Sequence, residues 1–342
     1  MNERPGASLS AKQNGTLMEQ LLYEVKRVVV GQDRFLERVM VAMLAQGHLL
    51  VEGVPGLAKT LTVKTLARSF AGTFKRIQFT PDLVPADLIG TRIFNQKSGE
   101  FSTTLGPVFT HLLLADEINR APAKVQSALL EVMQERQVTI AGETHRVPEP
   151  FLVMATQNPI ETEGTYPLPE AQVDRFMMKV LVGYPSEDEE FVIVERVIGP
   201  PIEVGAVVTT EQLAQLQREC RATYVDPSLI TYAVKLVAAT REPAKVGQVD
   251  LAKYVAFGAS PRATIWLIEG ARALAFLRGR HYALPEDLVD LVPDVLRHRV
   301  TLTYEALADG LTPDAFIERI VRALPAPPKP LSHEPPRAAA NG

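Results

Sequence analysis

Residues 49–61 read LLVEGVPGLAKTL, and this stretch limits the fold more than any other in the chain. An apolar run from His48 to Val51 breaks at Gly53, Pro55 and Gly56, and a helix-forming run opens near Lys59, so a buried strand, a turn and a helix must follow one another directly. At such a turn successive backbone N–H groups converge on a phosphate, and the helix N-terminus adds roughly half a positive charge. Lys59 is then placed to reach β- and γ-phosphates, and the Thr60 hydroxyl to ligate Mg²⁺. The spacing is that of the Walker A pattern, with Ala58 where the pattern has its second glycine. Alanine tolerates helical dihedrals, so the loop survives provided that residue needs no positive φ. The expected nucleotide-binding set is Gly53, Val54, Pro55, Gly56, Leu57, Ala58, Lys59, Thr60 and Leu61, against the plainer alternative of a Gly/Pro turn.

At 342 residues the chain has room for two domains with sizeable cores, and its 46% hydrophobic and 22% charged residues are those of a soluble globular protein. No apolar run approaches the ~20 residues of a membrane span. The opening MNERPGASLSAKQNG lacks an apolar core and is expected to be a flexible, cytoplasmic N-terminus over 1–16. One cysteine, Cys220, excludes an internal disulfide, and the six histidines show no ligand spacing. A net charge of −4 provides no global field for nucleic acid.

From Leu17 apolar residues recur at helical spacing up to Gly31, where a second helix begins. The turn at Gly31 and Gln32 either covers an adenine or simply joins two helices. Lys59 to Phe70 is expected as a helix and Phe74 to Phe79 as a strand. The Pro-rich stretch TPDLVPADLIG at 80–90 predicts a kinked helical insertion or exposed loop, and Lys97, Ser98, Gly99 and Glu100 mark a hairpin turn between Ile93 and Phe101.

The second informative stretch is HLLLADEINRAP, 111–122. A buried strand ending in Asp116 and Glu117 delivers carboxylates to the carboxyl edge of a parallel sheet, where such sheets bind ligands. Asp116 suits a Mg²⁺ shell and Glu117 a general base for water, although a solvated acidic pair capping the next helix would look similar. A helix from Ala123 to Arg136 and a hairpin at 137–147 precede another buried strand, Phe151 to Ala155, which ends in Thr156, Gln157, Asn158 and Pro159. Asn158 either donates to a γ-phosphate and orients water or merely punctuates an Asn-Pro turn. Arg175 closes a short helix before the strand Met177 to Val182. Its guanidinium suits an arginine finger supplied to a neighbouring subunit, with a surface ion pair as the alternative.

Beyond Tyr184 the pattern is helical throughout: a helix starting at Pro185 and Ser186, then 210–223, 227–241, 261–278 and 285–298. Ser260 and Pro261 make a good N-cap and N1 pair, placing Arg262 in a first turn where a cation opposes the helix dipole unless a phosphate or solvent compensates it. After Leu324 the Pro/Ala-rich tail, 325–342, is expected to be disordered.

Five stretches, GVPGLAKT, TPDLVPADLIG, LLLADEINRAPAKVQSALLEVMQERQVT, VMATQNPIETEGTYPLPEAQVDRF and GASPRAT, together resemble the MoxR family of AAA+ ATPases, in that family's order, over roughly residues 30 to 270. The resemblance implies an α/β nucleotide-binding domain, a parallel sheet flanked by helices, over 17–184 and a small all-helical lid over 185–324. It implies Mg²⁺-dependent ATP hydrolysis, with Walker A at Gly53 to Thr60, Walker B at Asp116 and Glu117, sensor 1 at Asn158, an arginine finger at Arg175 and sensor 2 at Arg262. It further implies a ring, hexameric in that family, with the insertions at 80–90 and 137–148 facing its pore, lid rotation driving them, and chaperone-like remodelling of protein complexes with a von Willebrand factor A domain partner. Rival functions are a nucleic-acid motor, disfavoured because 80–90 holds Asp82 and Asp87 but no Lys or Arg, and a nucleotide-gated module with little turnover.

Overall fold

The structure, a computed structural model, describes residues 11–53, 59–97, 99–158 and 165–328. Two helices, α1 (Ala11–Val28) and α2 (Asp33–Leu44), lead into β1 (Leu49–Glu52), α3 (Lys59–Ser69) and β2 (Phe74–Gln78). Helix α1 starts at Ala11 rather than Leu17, because Ala11, Lys12 and Gln13 favour helix, and its later turns bury Met18, Leu21 and Val25. The Pro-rich insertion holds a short helix, α4 (Pro85–Ile89), and continues into the hairpin β3 (Gly90–Asn95) and β4 (Glu100–Leu105). Next come β5 (Leu112–Asp116), α5 (Ala123–Glu135), the hairpin β6 (Gln137–Ile140) and β7 (Glu143–Arg146), β8 (Leu152–Gln157), α6 (Glu170–Val173) and β9 (Met178–Leu181).

Strands β1, β5 and β8 are near-continuous apolar runs because they are buried on both faces, as parallel strands under helices must be. They form one parallel sheet in the order β2-β5-β8-β1-β9. Alternation along each strand divides the interior. Leu49, Val51, Leu112 and Leu114 point into a core shared with α1, α2 and α3. Leu50, Leu113, Ala115 and Val153 point into a second core with Val125, Leu129 and Met133 of α5. Parallel register sets Glu52 beside Gln157 and Gln78 beside Asp116, so the strands finish along one edge.

The helical half comprises α7 (Glu187–Ile198), α8 (Thr210–Arg221), α9 (Pro227–Arg241), α10 (Pro261–Leu277), α11 (Pro285–Leu296), α12 (Tyr304–Ala308) and α13 (Pro313–Ala323), with a small ribbon of β10 (Val255–Phe257) and β11 (Thr301–Leu302). Helices α12 and α13 were not anticipated from the sequence. Ser186 with Glu189 and Thr209 with Gln212 form capping boxes that fix where α7 and α8 start.

This helical half is not loosely hinged. Leu213, Leu236, Leu274, Leu291 and Phe316 belong to the same core as Leu49 and Val51 of the sheet. The fully buried Arg38 of α2 bonds Asp294 at 2.7 Å and Asp290 at 2.9 Å, both on α11. Arg297 donates to the Lys179 carbonyl on the edge strand β9 at 2.6 Å. A rotation of the lid within its own chain would open that core and strand these charges, so the contacts oppose it.

Candidate active site

Three chain segments end at the carboxyl edge of the sheet. β1 leads through Gly53 to Lys59, the first residue of α3; Lys59 Nζ donates to the Gly53 carbonyl at 2.6 Å. A Cβ on Gly53 would lie 2.6 Å from the Val182 carbonyl, so only glycine lets the strand leave so close to the end of β9. Residues Val54 to Ala58, the expected centre of the phosphate loop, lie outside the described residues; Thr60 and Leu61 occupy the first turn of α3. Burial pushes the Lys59 ammonium below its ordinary range, and the fields of Asp116, Glu117 and Glu52 oppose that shift, which puts the lysine within electrostatic reach of both acids at the end of β5.

The two acids are locked by groups that sequence alone did not single out. The Thr156 hydroxyl, on the neighbouring strand β8, accepts from the Glu117 N–H at 2.9 Å and donates to Asp116 Oδ1 at 2.5 Å. Arg76, on the other neighbour β2, donates to Asp116 Oδ2 at 2.6 Å, and Arg120 Nε lies 2.9 Å from Glu117 Oε2. Glu117 itself sits at φ 56, ψ 51, a left-handed conformation that costs a non-glycine residue about 1 kcal/mol or more and is found where surrounding structure enforces it. These contacts follow from strand order, which brings β2 and β8 to either side of β5, and no local pattern encodes that.

Asn158 follows directly after β8 and lines a cavity of about 530 Å³ with Glu52, Gln157, Lys179 and His298. Gly31 and Gln32 both take left-handed dihedrals, and a Cβ on Gly31 would strike the Glu189 carboxylate in the first turn of α7. That turn therefore packs against the segment leaving β9. The set Gly53, Lys59, Asp116, Glu117 and Asn158 is thus gathered at one edge.

Arg175 and Arg262 are elsewhere. Arg175 precedes β9, whose Met178 pairs with Leu49, the first residue of β1, so it stands at the amino edge of the sheet. Together with Arg262 it lines a cavity of about 300 Å³ that also includes His48, Arg136 and Trp266. Four strand residues at about 3.3 Å each put roughly 13 Å between the two edges. The Ser260 side chain caps α10 as anticipated, accepting from the Arg262 N–H. The cation in that first turn is half exposed to solvent and is also met by Asp174, 3.4 Å away. Asp174 also receives Arg299 Nε at 2.8 Å and the Ser260 hydroxyl at 2.9 Å, which ties both arginines to one carboxylate.

The carboxyl edge offers a hydroxyl and a carboxylate, Thr60 and Asp116, the hard oxygen donors that Mg²⁺ selects. No group of three or more His, Cys, Asp or Glu suited to a metal is present among the described residues. That combination fits an ion which takes one or two protein oxygens and completes its shell with phosphate and water. Cys220 is buried, its thiol pushed up to about 12. No helix among the described residues is long and apolar enough to cross a membrane.

Known proteins share this plan. Residues 48–178 match the family model for the ATPase family associated with various cellular activities (AAA), and residues 248–320 match the AAA lid domain. Chaperone MoxR1 of Mycobacterium tuberculosis is 54% identical over 94% of this chain and 86% of its own length. Protein MoxR of Methylorubrum extorquens is 32% identical over 89% of this chain and 93% of its own length. A crystal structure of a putative ATPase from Cytophaga hutchinsonii superposes with a TM-score of 0.89 at 47% identity, covering 93% of this chain and 97% of that one. With relatives of that name aligned along nearly its whole length, and with sheet and lid both matched, the chain belongs to the MoxR family of AAA ATPases.

Proposed function

We propose that the chain hydrolyses ATP in a ring of identical copies, each active site being built from two of them. The observation that carries this is the division of the site residues between the two edges of one sheet: Lys59, Asp116, Glu117 and Asn158 at the carboxyl edge, Arg175 and Arg262 at the amino edge. The two sets cannot reach one bound nucleotide within a chain, but a head-to-tail neighbour presents its amino edge to the first copy's carboxyl edge, and such contacts close into rings.

In this scheme the loop around Gly53 to Ala58 and the Lys59 ammonium hold the phosphates. Thr60 and Asp116 hold Mg²⁺, which when bound neutralises charge on the phosphate oxygens. Glu117 Oε takes a proton from the attacking water, its carboxylate steadied by Arg120 and its backbone by Thr156. Asn158 orients that water, and the turn of Gly31 and Gln32 covers the adenine. The neighbour's Arg175 and Arg262 stabilise charge developing on the transferred phosphoryl group. Because lid and sheet share one core, the motion turnover drives is of whole chains against each other, with the hairpins β3–β4 and β6–β7 carried along.

The chaperone name of its relative supports remodelling of protein complexes as the task. Hexameric symmetry, a cytoplasmic setting and a von Willebrand factor A domain partner rest on the family resemblance, and pull-down with a Glu117→Gln trap in ATP is the means to find the client. The shared site is tested by mixing. Lys59→Ala and Arg175→Ala chains are each expected to be inactive, and their mixture to regain turnover, since random assortment leaves roughly a quarter of sites intact. A mixture as dead as its components would sink the two-copy site.

A further inference from the structure

The amino-edge cavity holds more positive charge than two expected arginines account for. Arg136 lines it beside Arg175 and Arg262, and no carboxylate is in the lining. Arg136 closes α5 in a left-handed conformation, and Nη2 donates to the Gln46 carbonyl at 2.8 Å, which fixes the guanidinium at the rim. Its other N–H groups have no partner among the described residues, and Arg175 has no side-chain partner among them either. Two acids act from outside the lining: Asp174 on Arg262, and Glu149 on Arg136. Burial nevertheless leaves Arg136 below its ordinary range, with Arg221 adding repulsion. His48 contributes no charge at neutral pH, since Nδ1 accepts from the Val153 N–H at 3.0 Å and Nε2 faces the Met133 carbonyl at 3.1 Å. Three cations around about 300 Å³ repel one another, and a multiply charged anion with several oxygens would reverse the sign of that energy.

We propose that this cavity is a preformed receptor for an oligophosphate chain, supplied by a nucleotide on a second copy of the protein, with Arg136 as its third cationic ligand. The inference rests on the two-copy site above and adds to it a residue and a binding event that a single chain can display. Trp266, the one tryptophan of the chain, lines the same cavity and so reports on it directly.

The test uses Lys59→Ala protein, whose own phosphate loop is disabled. Inorganic tripolyphosphate should change Trp266 fluorescence saturably, with an apparent Kd that weakens as salt rises. Adding Arg136→Gln, which keeps a donor for the Gln46 carbonyl, should weaken that binding at least about tenfold. Circular dichroism matched to the parent identifies samples that are folded, and Arg136→Lys, retaining the charge, should recover part of the affinity. To identify the source of the phosphate, Lys59→Ala chains are mixed with Trp266→Phe chains, so that the signal comes only from copies unable to hold ATP themselves. ATP should then alter the fluorescence of the mixture at a concentration that leaves unmixed Lys59→Ala protein unchanged. No saturable response to tripolyphosphate, or equal affinity with and without Arg136, would overturn the receptor. A receptor that binds tripolyphosphate while the mixture stays silent would overturn the second copy as its source. Turnover regained by mixing Lys59→Ala with Arg175→Ala in either case would leave the two-copy site standing without it.

Discussion

Along the carboxyl edge of the sheet, Glu52, Asp116 and Glu117 surround one lysine, and a backbone held in a left-handed conformation carries the proposed base. Along the amino edge the side chains are Arg136, Arg175 and the lid's Arg262, ordered by Asp174 and backed by a neutral, buried His48. The amino edge carries an excess of guanidiniums, whereas Glu52, Asp116 and Glu117 at the carboxyl edge are matched by Lys179, Arg76 and Arg120 besides that lysine. A cluster of guanidiniums with no carboxylate in its lining is suited to meet an anion brought by another molecule.

That contrast can be attacked from both edges. The largest effect belongs to the carboxyl edge: Glu117→Gln should cut ATP turnover by about 10²- to 10⁴-fold while nucleotide binding, measured by calorimetry, is retained. Unchanged hydrolysis would remove Glu117 from its role. At the amino edge, Asp174→Asn leaves the almost fully buried Arg299 without its counter-charge. Denaturant unfolding should register a loss of about 3 to 5 kcal/mol, and turnover should fall with it because Arg262 is no longer tied. Acid should also destabilise the amino edge. His48 is held neutral, pushed down to about 4 by burial, so its contribution is complete above the ordinary histidine range near 6.5 and disappears as pH falls from there towards 4. The stability lost over that interval should be on the order of 3 kcal/mol, and His48→Gln should remove this share of the pH dependence. The smallest effect is expected from Ser260→Ala, which deletes the cap of α10 beside Arg262 and should cost about 1 kcal/mol in the same unfolding measurement.

Most of the fold was legible because its signals are local. The strand at Leu49–Glu52 breaks on glycine and proline, the strand at Leu112–Asp116 is an unbroken apolar run, and Ser260 followed by Pro261 announces a helix start. Residues whose role depends on who lies next to whom were not legible. Thr156 and Arg76 clamp Asp116 only because β8 and β2 flank β5, and Arg136 joins Arg175 only because α5 ends beneath the start of β9. The lid was foreseen as helical but its shared core with the sheet was not, since an amphipathic helix shows that it buries a face without showing against what. Charge balance around Arg262 was open for the same reason: the sequence could offer phosphate or water, while Asp174 lies 88 positions away.

The buried Arg38, gripped by two carboxylates of α11, has a consequence for anyone dissecting the molecule. Cutting the chain between 184 and 185, the boundary the sequence suggests, would not release an autonomous nucleotide-binding piece. It would expose the apolar sides of α2 and β9, on which α8, α10 and α11 pack, and leave a guanidinium in the interior with its partners gone. The nucleotide-binding half keeps its second core around α5, but the first core is shared with the lid, and fragments designed on the sequence boundary between them divide it.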